Sequence, residues 1–339
     1  MSEKTNEILS KKSLIIITIG WFLIFTIGLI LALYFNEAFY SPNSGVRAIF
    51  EVITYLGENV VLLVMSAFFF IVYDKKLAKN FTFSFLASGY INGVLKSTFK
   101  DPRPPTNVDP LADYGLTHTD YGFPSGHSQI AVATWGYLAY EFKDQQKVKQ
   151  YIPSLVCSII IFLIAISRVV IGVHDVNDIV GGLCIGILVL LAFMYLEPII
   201  TEKIDPLSLS LKIILTIVVS IVLLLIGILI APTAGLEMVP GADPYSDAGN
   251  YALIAGAVLG LSIGFLLEAE YVKYDPSAIE NKQKVINLAI GLVILLVVFF
   301  LLEIDALKIS VITRFIRYAV IAFIVTFVLP LIFTKINKK

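Results

Sequence analysis

Long apolar runs separated by short polar segments repeat along the whole chain. Runs near the ~20 residues that cross a bilayer as a helix occupy 13–35, 56–73, 80–99, 127–142, 152–172, 177–197, 211–231, 251–268, 285–303 and 316–334. A chain surrounded by lipid has to satisfy its backbone N–H and C=O groups internally, so each run is expected to be helical. The pattern predicts an all-α, polytopic membrane helix bundle of about ten transmembrane helices. The runs 56–73 and 127–142 are short, and the count drops to eight or nine if either is re-entrant.

Composition sharpens this picture. Of the 339 residues, 58% are hydrophobic and 15% charged, against roughly 45–50% and 25% in soluble domains. The mean hydropathy is +0.86. So much apolar surface requires a hydrocarbon solvent and excludes a disordered chain. A net charge of −1 gives no basic face to neutralise phosphates, which argues against nucleic-acid binding. Cys157 and Cys184 both lie in apolar runs and read as small buried residues. No Cys/His cluster points to zinc or another metal. Lys4, Lys11 and Lys12 precede the first run as in a signal peptide, but that run is too long for an h-region and no small-x-small site follows. It is expected to stay as the first membrane helix.

Charge orients the bundle. Alternate polar segments carry most of the 25 Lys and Arg residues, including Lys75, Lys76, Lys79, Lys143, Lys147, Lys149, Lys282 and Lys284. The positive-inside rule then places both termini in the cytoplasm. Eight cations remain on the outer side: Arg47, Lys96, Lys100, Arg103, Arg168, Lys308, Arg314 and Arg317. The last three flank the final span and are explained by snorkelling. Lys96, Arg103 and Arg168 lie close to histidines or a proline-rich loop, and ionisable clusters at a membrane surface are functional by default.

Three segments converge on that face: Lys96 to Pro104 after the third run, Phe123-Pro-Ser-Gly-His127 at the start of the fourth, and Ser167 to Asp178 between the fifth and sixth. They hold two of the three histidines; the third, His118, lies in the intervening loop. Three cations without a metal signature suit a polyanion, and the planar guanidinium of Arg103 or Arg168 matches phosphate oxygens. Pro102 and Pro104 stiffen the backbone around Arg103. Ser125 and Gly126 stand at a helix start, where N–H groups and the positive dipole end face outward, and Gly126 permits close approach of an oxyanion. His174 and Asp178 are four apart on one helical face. The carboxylate can set the imidazole tautomer and leave the other nitrogen as a nucleophile. His127 is the second imidazole, suited to protonating a leaving oxygen.

The spacing Lys-x6-Arg-Pro, then Pro-Ser-Gly-His, then Ser-Arg-x5-His-x3-Asp resembles the three-part signature of the type 2 phosphatidic acid phosphatase family, which is related to the vanadium haloperoxidases and glucose-6-phosphatases. The resemblance spans roughly residues 50–200. It implies that Lys96, Arg103, Ser125, Gly126 and Arg168 hold the phosphate. His174 would attack phosphorus, His127 protonate the leaving group and Asp178 support the nucleophile, with no metal and no cofactor. It also implies a six-helix phosphatase core, here residues 1–200. Residues 201–339 form an additional four-helix membrane region whose role the sequence does not assign.

The expected activity is hydrolysis of a phosphomonoester or pyrophosphate, most simply on a lipid, at the extracytoplasmic or lumenal face through a phosphohistidine. The partners would be that substrate and the membrane lipids. A phosphotransferase on the same scaffold, a soluble sugar phosphate as substrate and an anion transporter stay open as alternatives. Transport would call for inverted repeats and broken mid-membrane helices, and the sequence has no sign of them. In the additional region Ala252, Gly256, Gly260 and Gly264 put a small residue at every fourth position, which predicts close helix packing; Gly182 and Gly186 make a shorter version that could meet it. The acidic loop 232–250 reads as a solvated connector, with a lid over the site as the second reading.

Overall fold

The computed structural model describes residues 8–36, 41, 43–104, 120–143, 151–231, 248–302 and 310–337. Twelve helices account for nearly all of them: α1 (Lys11–Phe35), α2 (Ser44–Thr54), α3 (Asn59–Phe68), α4 (Lys75–Phe99), α5 (Gly126–Phe142), α6 (Tyr151–Val170), α7 (Val176–Ile204), α8 (Leu209–Ile230), α9 (Ala248–Leu267), α10 (Asn281–Leu301), α11 (Val311–Phe323) and α12 (Leu329–Asn337). Single π-helical turns extend α3 and α9 and join α11 to α12. Each of the ten apolar runs coincides with a helix, and no strand occurs among the described residues. The expectations for His118, Lys308 and the acidic loop 232–250 fall wholly or largely outside the described residues.

Seven helices, or eight counting a bent pair, are long and apolar enough to cross a membrane among the described residues. The bent pair joins Ser44–Gly57 to Asn59–Tyr73 at 47°. Its first arm, α2, was not marked by the apolar pattern. α5, with 17 residues, is short for a span, and α4 falls outside the set for its polarity. α4 carries Asn80, Ser84, Ser88, Asn92 and Lys96 at every fourth position, all buried. A polar stripe of this kind is stable in a bilayer only if it faces a partner helix.

That partner is α5. Ser84 Oγ donates to the Ala133 carbonyl at 2.9 Å. Gln129 Nε2 donates to the Ser88 carbonyl at 3.0 Å, and Asn92 Nδ2 donates to Gln129 Oε1 at 2.9 Å and to the Pro124 carbonyl at 3.0 Å. Membrane interhelical hydrogen bonds are worth roughly 0.6 kcal/mol each on average, rarely above ~2. The ladder therefore fixes register more than it adds stability. It ends at Lys96.

Two small-residue faces build the other contacts, and they do not meet each other. Gly182 and Gly186 of α7 lie against α5, where an added Cβ would stand 2.7 Å from the Ser125 carbonyl and 2.8 Å from that of Gln129. Gly256 and Gly260 of α9 lie against α11, with Phe315 and Ala319 carbonyls in the way of any Cβ. The two halves of the chain share one apolar core, which runs from Phe70 and Phe81 to Tyr274 and Phe333. Away from the site, Lys75 pairs with the buried Glu268 at 2.9 Å, and Tyr274 Oη donates to the Ile71 carbonyl at 2.6 Å.

Candidate active site

The helix ends that carry the predicted residues gather at one end of the bundle. α4 closes at Lys100, whose left-handed φ of 52° turns the chain toward Arg103. α6 closes at Gly172, whose φ of 81° is open to glycine without strain. Beyond it the Val173 and His174 N–H groups both donate to the Arg168 carbonyl, at 3.1 and 3.3 Å. The backbone of one expected phosphate ligand thus holds the expected nucleophile. Asp175 then caps α7 by accepting from Asp178 N at 3.0 Å. Asn36, at the end of α1, braces this turn through Asp175 Oδ2 at 3.1 Å and Asn177 N at 3.0 Å.

His174 is 1% exposed, and its two nitrogens have different partners. Nδ1 lies 2.7 Å from Asp178 Oδ2, and Nε2 lies 3.2 Å from Arg103 Nη1. A carboxylate accepts and a guanidinium only donates, so the proton is assigned to Nδ1 and the lone pair to Nε2. Burial first, and then the charges of Arg103 and Lys96, hold the imidazole well below its ordinary pKa, so it is neutral at pH 7. Burial and the neighbouring Asp175 carboxylate raise the pKa of Asp101, just after α4, from its ordinary value.

Arg103 is aimed by three further contacts: to the Val173 carbonyl at 3.0 Å, to the Asp120 carbonyl at 3.1 Å and to the Asp120 carboxylate. Lys96 reaches Asp120 Oδ2 at 3.2 Å, the Gly122 carbonyl at 3.2 Å and the Tyr121 carbonyl. Arg168 Nη1 donates to Thr54 Oγ1 at 2.9 Å, at the end of α2. His127 Nε2 lies 3.0 Å from Glu58 Oε1, in the bend between α2 and α3. The Gly126 and His127 positions open α5, with Gly126 close to Asn92.

A cavity of about 390 Å³ brings Lys96, Arg103, Gly126, His127, Arg168 and His174 onto one wall system. Asp178 is fully buried behind His174. Ser125 is also fully buried and does not line the cavity. Its N–H donates to the Asp178 carbonyl at 3.0 Å, and its hydroxyl caps α5, so it contributes from beneath. Among the described residues no group of three His, Cys, Asp or Glu side chains is arranged to hold a metal ion.

Three contributors escaped the sequence. Glu58 is one carboxylate at the start of an apolar run, and Thr54 lies in an unmarked helix. Asp120, whose carboxylate bridges Lys96 and Arg103, sits in a loop without a motif. Only their spatial partners identify them.

Fold and site together define a polytopic helical membrane protein with a cationic, two-histidine pocket at one end of the bundle. Residues 77–202 match the PAP2 superfamily model, and residues 252–339 match that of the PAP2 superfamily phosphatase, transmembrane extension. The chain thus carries a PAP2 superfamily domain followed by a PAP2 transmembrane extension. The second match covers most of the region that the sequence left unassigned.

The chain is similar to lipid phosphate phosphatase delta of Arabidopsis thaliana, with 29% identity over 38% of this chain and 32% of the relative. It is similar to phosphatidylglycerophosphatase B of Bacillus subtilis (strain 168), with 35% identity over 29% and 47%. Sphingosine-1-phosphate phosphatase 2 of Mus musculus shares 24% over 62% and 55%. The chain thus spans between about a third and just over half of the length of these relatives. Among solved structures it is similar to that of the first transmembrane PAP2 type phosphatidylglycerolphosphate phosphatase from Bacillus subtilis. That likeness has a TM-score of 0.40 and 22% identity, over 56% of this chain and 96% of the other.

Proposed function

We propose that this chain is an integral membrane phosphatase that hydrolyses a phosphomonoester or pyrophosphate on a lipid, without a metal, at the extracytoplasmic or lumenal face. The observation that carries the reading is the position of His174. Its Nε2 lone pair is fixed between Asp178 behind and Arg103 in front, on the wall of a cavity that also holds Lys96, Arg168 and His127. Names of similar proteins, all lipid phosphatases or phosphatidylglycerophosphatases, support a lipid phosphate as substrate.

In this reading Lys96, Arg103, Arg168 and the α5 N-terminus take the phosphoryl oxygens, and their preorganised charge supplies most of the stabilisation. Nε2 of His174 forms a bond to phosphorus as the bond to the leaving oxygen breaks. Asp178 stabilises the cationic ring that results. His127 gives its proton to the leaving oxygen and then takes one from the water that attacks the phosphohistidine. The products are the free alcohol, or the lipid monophosphate, and inorganic phosphate. Residues 1–200 form the catalytic core and 201–339 an added region, and the outward placement rests on the distribution of Lys and Arg.

The test is phosphate release by the purified full-length protein in lipid nanodiscs. The panel is phosphatidic acid, phosphatidylglycerophosphate, a polyprenyl pyrophosphate and a sugar phosphate, with and without chelator. Release from a lipid that chelator leaves intact, with an acid-labile phosphoenzyme, supports the proposal. Loss on chelation points to a metal-activated water, and release only on adding an acceptor alcohol points to a transferase. A cysteine in the 105–120 loop that labels only from the cytoplasm overturns the sidedness.

A further inference from the structure

The cavity is longer than a phosphoryl group requires. Along α4 its lining runs from Lys96 through Asn92 and Gly93 to Gly89 and then Phe85. At ~1.5 Å per residue that is about 16 Å of helix. The character of the wall changes on the way. The cations and both histidines lie at the Lys96 end, whereas the far end is Phe85, Leu86 and Gly89 of α4, Ile130 of α5, and Leu253 and Ile254 of α9. A polar head region therefore opens into an apolar one, and one side of the apolar part comes from the transmembrane extension.

α9 is held in this place firmly. The Tyr251 hydroxyl bonds Ser97 Oγ at 2.8 Å, one residue from Lys96. The Tyr251 ring fits the notch at Gly93, where an added Cβ would meet it at 3.4 Å, and its Cβ fills a second notch at Gly227 of α8. Tyr90 of α4 stacks edge-on against it at 5.4 Å and donates to the Leu223 carbonyl of α8 at 2.8 Å. Below this anchor, Ile254 reaches toward Gly89, where an added Cβ would be 3.7 Å from its Cδ1 and 3.9 Å from that of Ile130. The size of residue 254 thus sets the bore of the apolar end.

We infer that the first two turns of α9 form the substrate-selecting wall of the site. Leu253 and Ile254 bound the hydrocarbon segment next to the phosphate, while Tyr251 and Ser97 set the height of that wall against the phosphate ligands. The inference rests on the lipid phosphatase reading and deepens it. The extension is then a part of the substrate site and not only a packing partner of the core. Ile254 is a specificity-determining position that touches the tail, not the reacting atoms.

Two arms test this with the full-length protein. In the first, kcat/KM is measured in the same nanodiscs for a long-chain lipid phosphate and for water-soluble nitrophenyl phosphate. Ile254→Trp narrows the bore and is expected to lower the lipid-to-soluble ratio at least tenfold, mainly through KM for the lipid. Ile254→Ala widens it and is expected to raise the preference for a methyl-branched over a straight chain several-fold. Parallel changes on all substrates, or no change in either ratio, overturn the wall. If the tryptophan variant does not fold, the alanine variant decides by the same criterion. In the second arm, a lipid phosphate with a carbene precursor on its first methylenes is photolysed with the wild type. Labelling of the peptide that contains Leu253 and Ile254 supports the wall, and its absence overturns it. Labelling does not need turnover, so a protein that binds the lipid but releases no phosphate overturns the activity alone.

Discussion

The α4–α5 and α9–α11 interfaces bring membrane helices together by opposite means. α4 and α5 are joined by side-chain hydrogen bonds through Ser84, Ser88, Asn92 and Gln129. α9 and α11 are joined by close backbone approach, with Gly256 and Gly260 set on the Phe315 and Ala319 carbonyls. Hydrogen bonds are directional, so the first interface defines a position along the helix as well as a distance. Small-residue packing defines distance and gains dispersion contacts, but it carries little chemical information. The helices that must aim Lys96 and the α5 N-terminus use the directional device. Those that must support a wall use the close one.

The largest expected effect tests whether chemistry belongs to the first region alone. His174→Ala should reduce turnover by more than about a thousandfold and abolish the acid-labile phosphoenzyme, because the group that forms the bond to phosphorus in the proposed mechanism is gone. Thermal unfolding in detergent should move little by comparison. Substantial residual turnover would mean that a group elsewhere, the extension included, performs the attack.

Gly260→Leu addresses the second region and is expected to act almost wholly on stability. A side chain there runs into the Ala319 backbone, which cannot yield as a flexible side chain would. Overpacking of this kind costs roughly 1–3 kcal/mol or more. Scanning unfolding in detergent should show a lowered midpoint, while kcat per folded molecule stays within a fewfold of wild type. Glycine 260 lies beyond the turns of α9 that line the cavity, so a selective loss of kcat with unchanged stability would erase the contrast between the two interfaces.

Asn92→Leu is expected to give the reverse balance. It removes two hydrogen bonds worth roughly 0.6–2 kcal/mol each, and it frees the Pro124 carbonyl just before the α5 N-terminus. A displacement near 1 Å at the phosphate ligands costs about a hundredfold in rate, so turnover should fall about 10–100-fold for a modest loss of stability. Equal losses in both measures would show that the ladder is mere glue.

Much of this was legible in the chain, for identifiable reasons. The ten apolar runs revealed the helices because a bilayer enforces span length. Lys96, Arg103, His127, Arg168 and His174 stand on the cavity wall because their motif spacings place them at helix ends on one face. The ladder on α4 was not read from the sequence, since its polar residues lie inside an apolar run and the partner Gln129 lies in another. The glycine faces of α7 and α9, which the sequence allowed to meet, pack instead on α5 and α11, because periodicity shows that a face is small without showing what covers it. Glu58, Thr54 and Asp120 carry no motif at all. Ser125 occupies its expected place in sequence, yet its N–H is already engaged by Asp178.

Glu58 offers the smallest and most discriminating effect, since it belongs to neither interface. It sits in the α2–α3 bend, 39% exposed by side chain, with Oε1 3.0 Å from His127 Nε2. A carboxylate there favours the imidazole that carries a proton, which is the form the proposed mechanism uses to protonate a leaving oxygen. Glu58→Gln keeps the shape and removes the charge, so the hydrogen bond survives in neutral form. Charge-assisted bonds exceed neutral ones by about 1 kcal/mol, which sets the expected fall at roughly tenfold or less for an alkyl leaving group. A nitrophenyl ester needs little protonation, so its phosphorylation of His174 should be nearly unaffected in the same variant. His127→Ala should show the same leaving-group pattern at larger amplitude, and Glu58→Gln added to it should cost nothing further. Additive losses in the double variant, or equal losses on both leaving groups, would show that Glu58 supports the bend of α2 and α3 rather than the proton on His127.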